Sequence, residues 1–447
     1  MLLCVLRSPR GHNHLQKLTF VFARISRFLR QYRLPLLLLL LAAVTEVYFH
    51  TSRFSVNQPD HDLDPPFHTQ CQEPVTEGPR EKAALVMLVR NSELEGAVKT
   101  VRSIEKHFNQ WFHYPIVFLN DEAWDDVFIE TMNATASGEV RFEVLTQEEW
   151  SFPSWMDVGK ARQGIDQQGK DGILYAGMES YHHMCRFYSG KFYTFDALKE
   201  YKWYWRIEPD VDFYCALTYD PFVEMARRSK VYGYTIALPE VPRTCPSLFR
   251  EMADWKERHR PEIRGSEELW KAMVSPSWVP WPFRRMSLFR HRDRGGDGWN
   301  MCHYWSNFEI ASLDFFRSKE YQSLFEHLDS TGGFYRERWG DAPVHSLALA
   351  MLLDSPQRVH HFADIGYRHD SFFQCPANAF GSKQLPHSDV LSENIPWAPE
   401  YASGIGCRCE CDGAKTLNVP AYCLNRLKQP NSDRRLSTWA WVRSRYT

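Results

Sequence analysis

The sequence lacks an excess of either charge. Its 53 lysine and arginine residues are balanced by 55 aspartate and glutamate residues, and the formal net charge is -2. Because nucleic-acid binding needs a concentrated cationic surface, this balance argues against a nucleic-acid partner. Internal repeats and heptad runs are also missing. The 447 residues are enough for one large α/β catalytic domain.

Acidic residues are absent before Glu46, whereas arginines recur throughout the same stretch. An apolar run begins at residue 34 and continues, less cleanly, to residue 49. Because a basic flank favours the cytoplasmic side of a membrane, we predict a cytoplasmic tail at 1–33 and a transmembrane signal anchor at 34–49. This is type II topology. The run is short for a span, and a cleaved signal peptide is the alternative, although no clear cleavage site follows.

The remainder of the chain is then expected to be lumenal. Prolines among polar residues at 50–80 predict an extended stem, and 81–447 is the predicted catalytic domain. Only Cys4 of the 11 cysteines precedes the anchor, so an even number lies in an oxidising compartment and predicts disulfides. We expect them to hold a loop-like, cysteine-rich C-terminal wrap. The C-x-C-x-C motif of Cys407, Cys409 and Cys411 leaves zinc as a less favoured alternative, because its spacing is not C-x2-C.

The predicted catalytic domain starts with a β-α-β pattern. An apolar strand at 83–89 is followed by a helix whose capping box is Ser92 and Glu95, and then by a strand at 116–119. This pattern predicts an α/β fold with a Rossmann-like mixed sheet flanked by helices. It also places Arg90 at a strand's carboxyl end, where such sheets bind nucleotides. Further strands are predicted at 140–145, 203–207 and 231–238.

The most informative segment is WYWRIEPDVDFY at 203–214. Its apolar run stops at Glu-Pro-Asp, so Glu208 and Asp210 are expected to project where a buried strand ends. Hard divalent cations prefer such oxygen ligands, and a cation held here could also bind a diphosphate. This arrangement is typical of a nucleotide-sugar transferase. The alternative is a strand end closed by salt bridges.

Longer motifs accompany this segment. They are WFHYPIVFLND at 111–121, YHHMCRFYSG at 181–190, CHYWSNFEIASLDFFRS at 302–318, LDSTGGFYRERWGDAPVHS at 328–346 and DIGYRHDSFFQCP at 364–376. In order and content they resemble the fungal Golgi α-1,2-mannosyltransferases of glycosyltransferase family 15, over about 81–376. The resemblance implies a Golgi membrane enzyme of GT-A fold that uses GDP-mannose and Mn²⁺, retains anomeric configuration and extends O- or N-linked mannose chains on glycoproteins.

The resemblance also implies roles for single residues. Glu208 and His369 match the two protein ligands of the metal, and carboxylate with imidazole suits manganese. Glu309 matches a residue beneath the anomeric carbon, and is either a nucleophile in a double displacement or a stabiliser of positive charge in a front-face reaction. Asp341 matches a residue on the acceptor side, with helix capping as its alternative. His345, behind it, is expected to be structural.

On the donor side, Arg90 and Tyr181 match residues that adjoin the nucleotide and its diphosphate, and Asp210 is assigned to the same site. Two positions depart from the family pattern, Tyr188 and Ala216, and they leave acceptor preference open. We therefore predict a metal-dependent retaining α-mannosyltransferase. The alternatives are a membrane-tethered mannan-binding protein without activity, which would ignore GDP and Mn²⁺, and a glycoside hydrolase, which would need neither.

Overall fold

The structure is a computed structural model that describes residues 32–54, 65–68, 72–286, 290–376, 405–411 and 421–428. Fourteen strands lie in these ranges. In chain order they are β1 (Ala83–Leu88), β2 (Ile116–Asn120), β3 (Val140–Val144), β4 (Trp203–Arg206), β5 (Asp212–Phe213), β6 (Tyr232–Tyr234), β7 (Ala237–Pro239), β8 (Val274–Ser275), β9 (Gly298–Trp299), β10 (Cys302–Tyr304), β11 (Glu309–Ser312), β12 (Val359–His361), β13 (Tyr367–His369) and β14 (Phe372–Gln374).

The α-helices of the same ranges flank these strands. They are α1 (Arg33–Ser52), α2 (Leu94–Ile104), α3 (Gln110–Phe112), α4 (Asp126–Thr135), α5 (Val158–Lys170), α6 (Glu179–Arg186), α7 (Pro221–Arg227), α8 (Leu248–Arg258), α9 (Glu267–Met273), α10 (Leu313–Phe316), α11 (Lys319–Thr331), α12 (Gly333–Arg336), α13 (Asp341–Leu352) and α14 (Ala421–Lys428).

A seven-stranded sheet in the order β12-β6-β11-β4-β1-β2-β3 forms the centre of the domain. Strands β3, β2, β1 and β4 are parallel, whereas β11 runs antiparallel between β4 and β6. The predicted Rossmann-like mixed sheet flanked by helices is therefore confirmed. Because β1 and β4 are parallel, the chain leaves both strands at the same sheet edge, which brings the segments after Leu88 and Arg206 together.

The two faces of the sheet belong to two separate cores. Alternate residues of each strand point to opposite faces. One face, which includes Tyr204 and Ala311, packs against a core shared with α13, and the other, which includes Trp205 and Ile310, packs against a core shared with α2. Arg206 follows Trp205 and so projects on the α13 side, where its Cα partner on β11 is Glu309. Two charged side chains thus enter an otherwise apolar layer.

A small second sheet joins distant parts of the chain. Strand β13 lies between β5 and β14, with Tyr367 opposite Phe213 and Arg368 opposite Asp212. Because β5 starts four residues after Glu208, this register carries His369 back towards the Glu-Pro-Asp turn. The pairing of β13 with β5 therefore accounts for the proximity of His369 to Glu208 that the motif resemblance implied.

Three predictions at the level of elements need correction. The apolar run predicted as one strand at 231–238 forms β6 and β7, which pair in different sheets; a continuous apolar run does not reveal where the chain changes partners. The C-terminal part includes a helix, α14, instead of loops alone. In the predicted stem, Phe67 is buried and stacks on His360 with ring centroids 3.8 Å apart, so this part packs on the catalytic domain.

Disulfides staple the C-terminal segments onto the domain, as predicted. They join Cys215 to Cys409, Cys302 to Cys423 and Cys375 to Cys411, and Cys407 is also disulfide-bonded. These bonds use all three cysteines of the C-x-C-x-C motif and remove the zinc alternative, since a metal ligand must be a thiolate. Two buried cysteines, Cys185 and Cys245, remain thiols.

Replacing Cys215 and Cys409 together by alanine should lower the free energy of unfolding by about 2–5 kcal/mol, because the bond closes a loop of 194 residues. Chemical denaturation of the purified protein measures the change. Cys245→Ala is the matched control, since it removes a buried sulfur without opening a crosslink. A loss no larger than in that control would contradict a stabilising role for the bond.

Candidate active site

Arg206 is a buried cation at the end of the central strand β4. Its guanidinium donates through Nε to Glu208 Oε1 at 3.0 Å and through Nη1 to Asp341 Oδ2 at 2.6 Å. It also lies 3.6 Å from the centroid of the Tyr188 ring, a cation–π contact. Its side chain is only 3% exposed. Since a charge at this depth must be paired, Arg206 holds the two carboxylates in fixed positions.

Glu208 and His369 converge on one point although they are far apart in sequence. His369 Nε2 lies 3.6 Å from Glu208 Oε2, beyond the usual hydrogen-bond range, and the edge-to-face ring of Trp305 fixes the imidazole at 5.0 Å. The two side chains keep 24% and 21% of their surface exposed. An oxygen and a nitrogen that face a shared, partly open space can be bridged by one cation.

The electrostatic surroundings shift the pKa values of the two groups in opposite directions. Burial alone would raise the pKa of Glu208, but Arg206 and His369 outweigh it and hold the pKa at about 2. Burial would lower the pKa of His369, yet Glu208 outweighs it and the pKa is raised. Glu208 is therefore ionised at neutral pH. In the described part of the chain, no cluster of three or more His, Cys, Asp or Glu side chains could hold a metal, so further ligands would have to come from a substrate or water.

Asp341 belongs to the same charge network. It is the first residue of α13, where Gly340 is the cap and no side-chain capping bond is formed. Its carboxylate accepts from Arg206 and, at 2.7 Å, from Ser306 Oγ. Burial opposes ionisation, but Arg206 and His345 together lower the pKa of Asp341. The helix-capping alternative is therefore wrong, because the carboxylate points away from the cap and into the site.

Glu309 lies deeper, at the start of β11, with no exposed side-chain surface. Tyr204 and Tyr232 donate their hydroxyls to its two oxygens at 2.8 and 2.9 Å, and His345 Nδ1 lies 3.1 Å from Oε2. His345 is fully buried, which would lower its pKa, but Glu309 and Asp341 outweigh burial and the pKa is raised. The expected structural role of His345 thus includes direct contact with a candidate catalytic carboxylate.

The three residues predicted to contact the sugar nucleotide lie in different places. Tyr181, on α6, is within electrostatic reach of Asp341 and Glu208, and burial is the main cause that raises its pKa. Arg90 follows β1 at the same sheet edge and is exposed. Asp210 adopts a left-handed φ of 61° and turns its carboxylate outwards, 76% exposed and 3.8 Å from Lys99. Tyr181 therefore faces the charge network, whereas Asp210 lies at its rim.

Two members of the network were missed by sequence reasoning. Arg206 gave a visible signal, because a lone cation in the otherwise apolar WYWRI run is expected to be buried with a partner. Tyr188, noted only as a departure from the family pattern, is the platform under that guanidinium. It sits in a π-helical turn at Phe187–Lys191, directly after α6, and such turns are frequent at functional sites.

Comparison with known proteins shows which family the chain resembles. The sequence model of a family described as glycolipid 2-alpha-mannosyltransferase matches residues 43–387. The O-glycoside alpha-1,2-mannosyltransferase homolog 4 of Schizosaccharomyces pombe is 39% identical over 406 residues, 85% of each chain.

Two solved structures are similar as well. Core-mannan synthase A from Aspergillus fumigatus in its Mn/GDP form is 34% identical, with a TM-score of 0.61 over 79% of this chain and 90% of that one. The mannosyltransferase Ktr4p from S. cerevisiae in complex with GDP is 30% identical, with a TM-score of 0.65 over 87% and 92%. The predicted GT-A-type fold and the predicted family are thereby confirmed.

Arg206→Met should destabilise the protein by about 3–5 kcal/mol at pH 7, because it leaves the buried carboxylate of Asp341 and the partly buried carboxylate of Glu208 without their cation. In the native protein the pKa of Glu208 is depressed to about 2, so its pairing contributes stability above the unfolded pKa, which is lost as pH falls through the folded value. In the variant the guanidinium no longer opposes burial, so both carboxyls bind protons at higher pH than in the native protein, although His369 and His345 still lower their pKa values.

The difference in unfolding free energy between the native protein and Arg206→Met should therefore be largest at pH 7 and decrease towards pH 4. Chemical denaturation at each pH measures it. Arg186→Met is the matched control outside the site, since Arg186 is buried and bonded to Asp329 at 2.7 and 2.9 Å. A destabilisation by Arg206→Met that stays below about 1 kcal/mol would show that the carboxylates do not depend on Arg206.

Proposed function

The chain belongs to the glycolipid 2-alpha-mannosyltransferase family and is a mannosyltransferase, and on this premise we propose that it moves mannose from GDP-mannose to a mannose hydroxyl with a divalent cation and with retention of configuration. The observation that carries the proposal is the convergence of Glu208 and His369. The α-1,2 linkage is supported by the relatives' names. O- or N-linked glycans of glycoproteins are the proposed acceptors.

We propose that Glu208 and His369 hold Mn²⁺. The residues fit the ion: one ionised carboxylate and one imidazole face the same partly exposed space, with His369 Nε2 3.6 Å from Glu208 Oε2. When bound, the cation supplies positive charge to the departing diphosphate. Arg206 keeps Glu208 ionised and fixed, and Trp305 sets the ring plane of His369.

The donor side is completed by residues around this pair. Tyr181 can donate its hydroxyl to a diphosphate oxygen, and burial keeps its pKa high, so the proton stays on the phenol. Arg90 can reach phosphate or base from the end of β1. Asp210, at the rim, suits a contact to the nucleoside more than to the cation.

On the sugar side we propose separate tasks for the two remaining acids. Asp341 orients the acceptor hydroxyl, because Arg206 and Ser306 both donate to its Oδ2 and hold the carboxylate in one position. Glu309 stabilises developing positive charge on the sugar. Both of its oxygens are engaged by phenols and His345, which favours a fixed negative charge over an attacking nucleophile.

The N-terminal helix supports membrane anchoring. α1 is the one helix in the described ranges that is long and apolar enough to cross a bilayer, and none of its residues is buried. With the basic residues that precede it, we propose a single-pass type II protein of the Golgi membrane with a lumenal catalytic domain.

The purified protein should transfer mannose from GDP-mannose to methyl α-mannoside in the presence of Mn²⁺, and chelation should abolish transfer. Glu208→Ala should weaken GDP binding at least tenfold in Mn²⁺ and change it little in a chelator, by calorimetry. Glu320→Ala, which removes an exposed acid on α11, is the control. Normal Mn²⁺-dependent GDP binding by Glu208→Ala would refute the metal assignment.

Glu309→Gln should leave GDP and Mn²⁺ affinity within about twofold, because its side chain does not contact Glu208 or His369. It should lower kcat by 100-fold or more. Steady-state kinetics and calorimetry on the same sample separate the two effects. His345→Gln tests whether the loss arises from the neighbouring contact, and should reduce kcat less. Full turnover in Glu309→Gln would exclude it from the chemistry.

A further inference from the structure

A set of large apolar side chains is exposed between β8 and β9. Trp278, Trp281, Phe283 and Met286 have 76%, 62%, 61% and 73% of their surface in solvent. We call residues 278–286 the aromatic segment. Such side chains are rarely exposed together on a soluble surface, and a cluster of them marks an interaction site.

The aromatic segment contacts the predicted anchor helix. Glu46 on α1 accepts a hydrogen bond from the backbone N–H of Trp281 at 3.0 Å and forms an ion pair with Arg284. One turn further along the helix, His50 Nε2 lies 2.8 Å from Asp297 Oδ1. The segment is thus held against α1 by polar contacts while its apolar side chains point outwards.

One face of α1 is turned towards the domain. Between residues 34 and 50, the partly covered positions are Ala43, Glu46, Val47 and His50, and all others are exposed. The spacing of three, one and three follows one side of a helix. The remaining sides of α1 are free for lipid.

This contact places the aromatic segment beside the lumenal end of α1. Glu46 lies six residues before Ser52, the last residue of α1, which is about 9 Å along the helix at 1.5 Å per residue. An acid near the membrane boundary is stabilised by a paired cation, and Arg284 provides one.

We propose that the aromatic segment is a membrane-docking surface that inserts into the lumenal leaflet beside α1. Tryptophan favours the boundary between acyl chains and headgroups, and the exposed Arg285 and Arg290 can meet lipid phosphates. The inference rests on the membrane anchoring proposed above. It also explains how a short apolar run can serve as an anchor, since its one acid is neutralised and the neighbouring domain surface is apolar.

Lipid photolabelling of the full-length protein tests the surface. The protein is reconstituted into phosphatidylcholine nanodiscs that contain a lipid with a diazirine on its acyl chain, and adducts are mapped by peptide mass spectrometry. Adducts are expected in α1 and in the aromatic segment. The peptide with Trp155 is the internal control, because this tryptophan is 49% exposed but lies by Arg336, with ring and guanidinium 5.9 Å apart. A Trp278→Ser, Trp281→Ser variant should lose labelling in the segment at least threefold and keep it in α1.

The outcomes separate the two proposals. Labelling of α1 without the aromatic segment, or equal labelling of the segment and the Trp155 peptide, overturns the docking surface. Failure to label α1 contradicts the anchor and the docking surface together. Transfer from GDP-mannose, assayed in the same nanodiscs, reports on the enzymatic function independently of either result.

Discussion

The site depends on one buried ionic interaction, the pairing of Arg206 with Glu208 and Asp341. A guanidinium inside a protein is stable only when its charge and donors are matched, and here two carboxylates and the face of Tyr188 provide the match. Two acids against one cation leave a surplus of negative charge at the open side. The same interaction therefore keeps Glu208 ionised and leaves the site attractive to a second cation.

The geometry of the network follows from strand pairing. Arg206 and Glu309 are direct partners across β4 and β11, so they share a face of the sheet and their separation is set by the main chain. α13 lies over this face and brings Asp341 into contact with Arg206 and His345 into contact with Glu309. Asp341 and Glu309 therefore occupy one layer of the core but accept hydrogen bonds from different donors.

Much of this could be predicted from the sequence, and the failures have identifiable causes. The strand end at Glu208 was predictable because an apolar run stops abruptly at a proline, and the β-α-β start was predictable from its periodicity. The proximity of His369 to Glu208 followed from motif resemblance alone, because no local pattern reports the pairing of β13 with β5. The role of Arg206 was missed because the lone cation in an apolar strand was not recognised as a sign of a buried, paired charge. The split of 231–238 into two strands was missed because both parts are equally apolar.

Two parts of the site are held by different physical means. Glu309 and Asp341 are buried, and hydrogen bonds hold both of them: Tyr204 and Tyr232 donate to Glu309, and Arg206 and Ser306 donate to Asp341. Glu208 lies in the turn between β4 and β5, and His369 lies on the small three-stranded sheet of β5, β13 and β14. Disulfides begin directly beside it: Cys215 follows β5 and Cys375 follows β14, and both bonds lead to the C-terminal segment at 405–411. Because these crosslinks tie the ends of β5 and β14 to the same segment, residues 405–411 support the small sheet that carries His369.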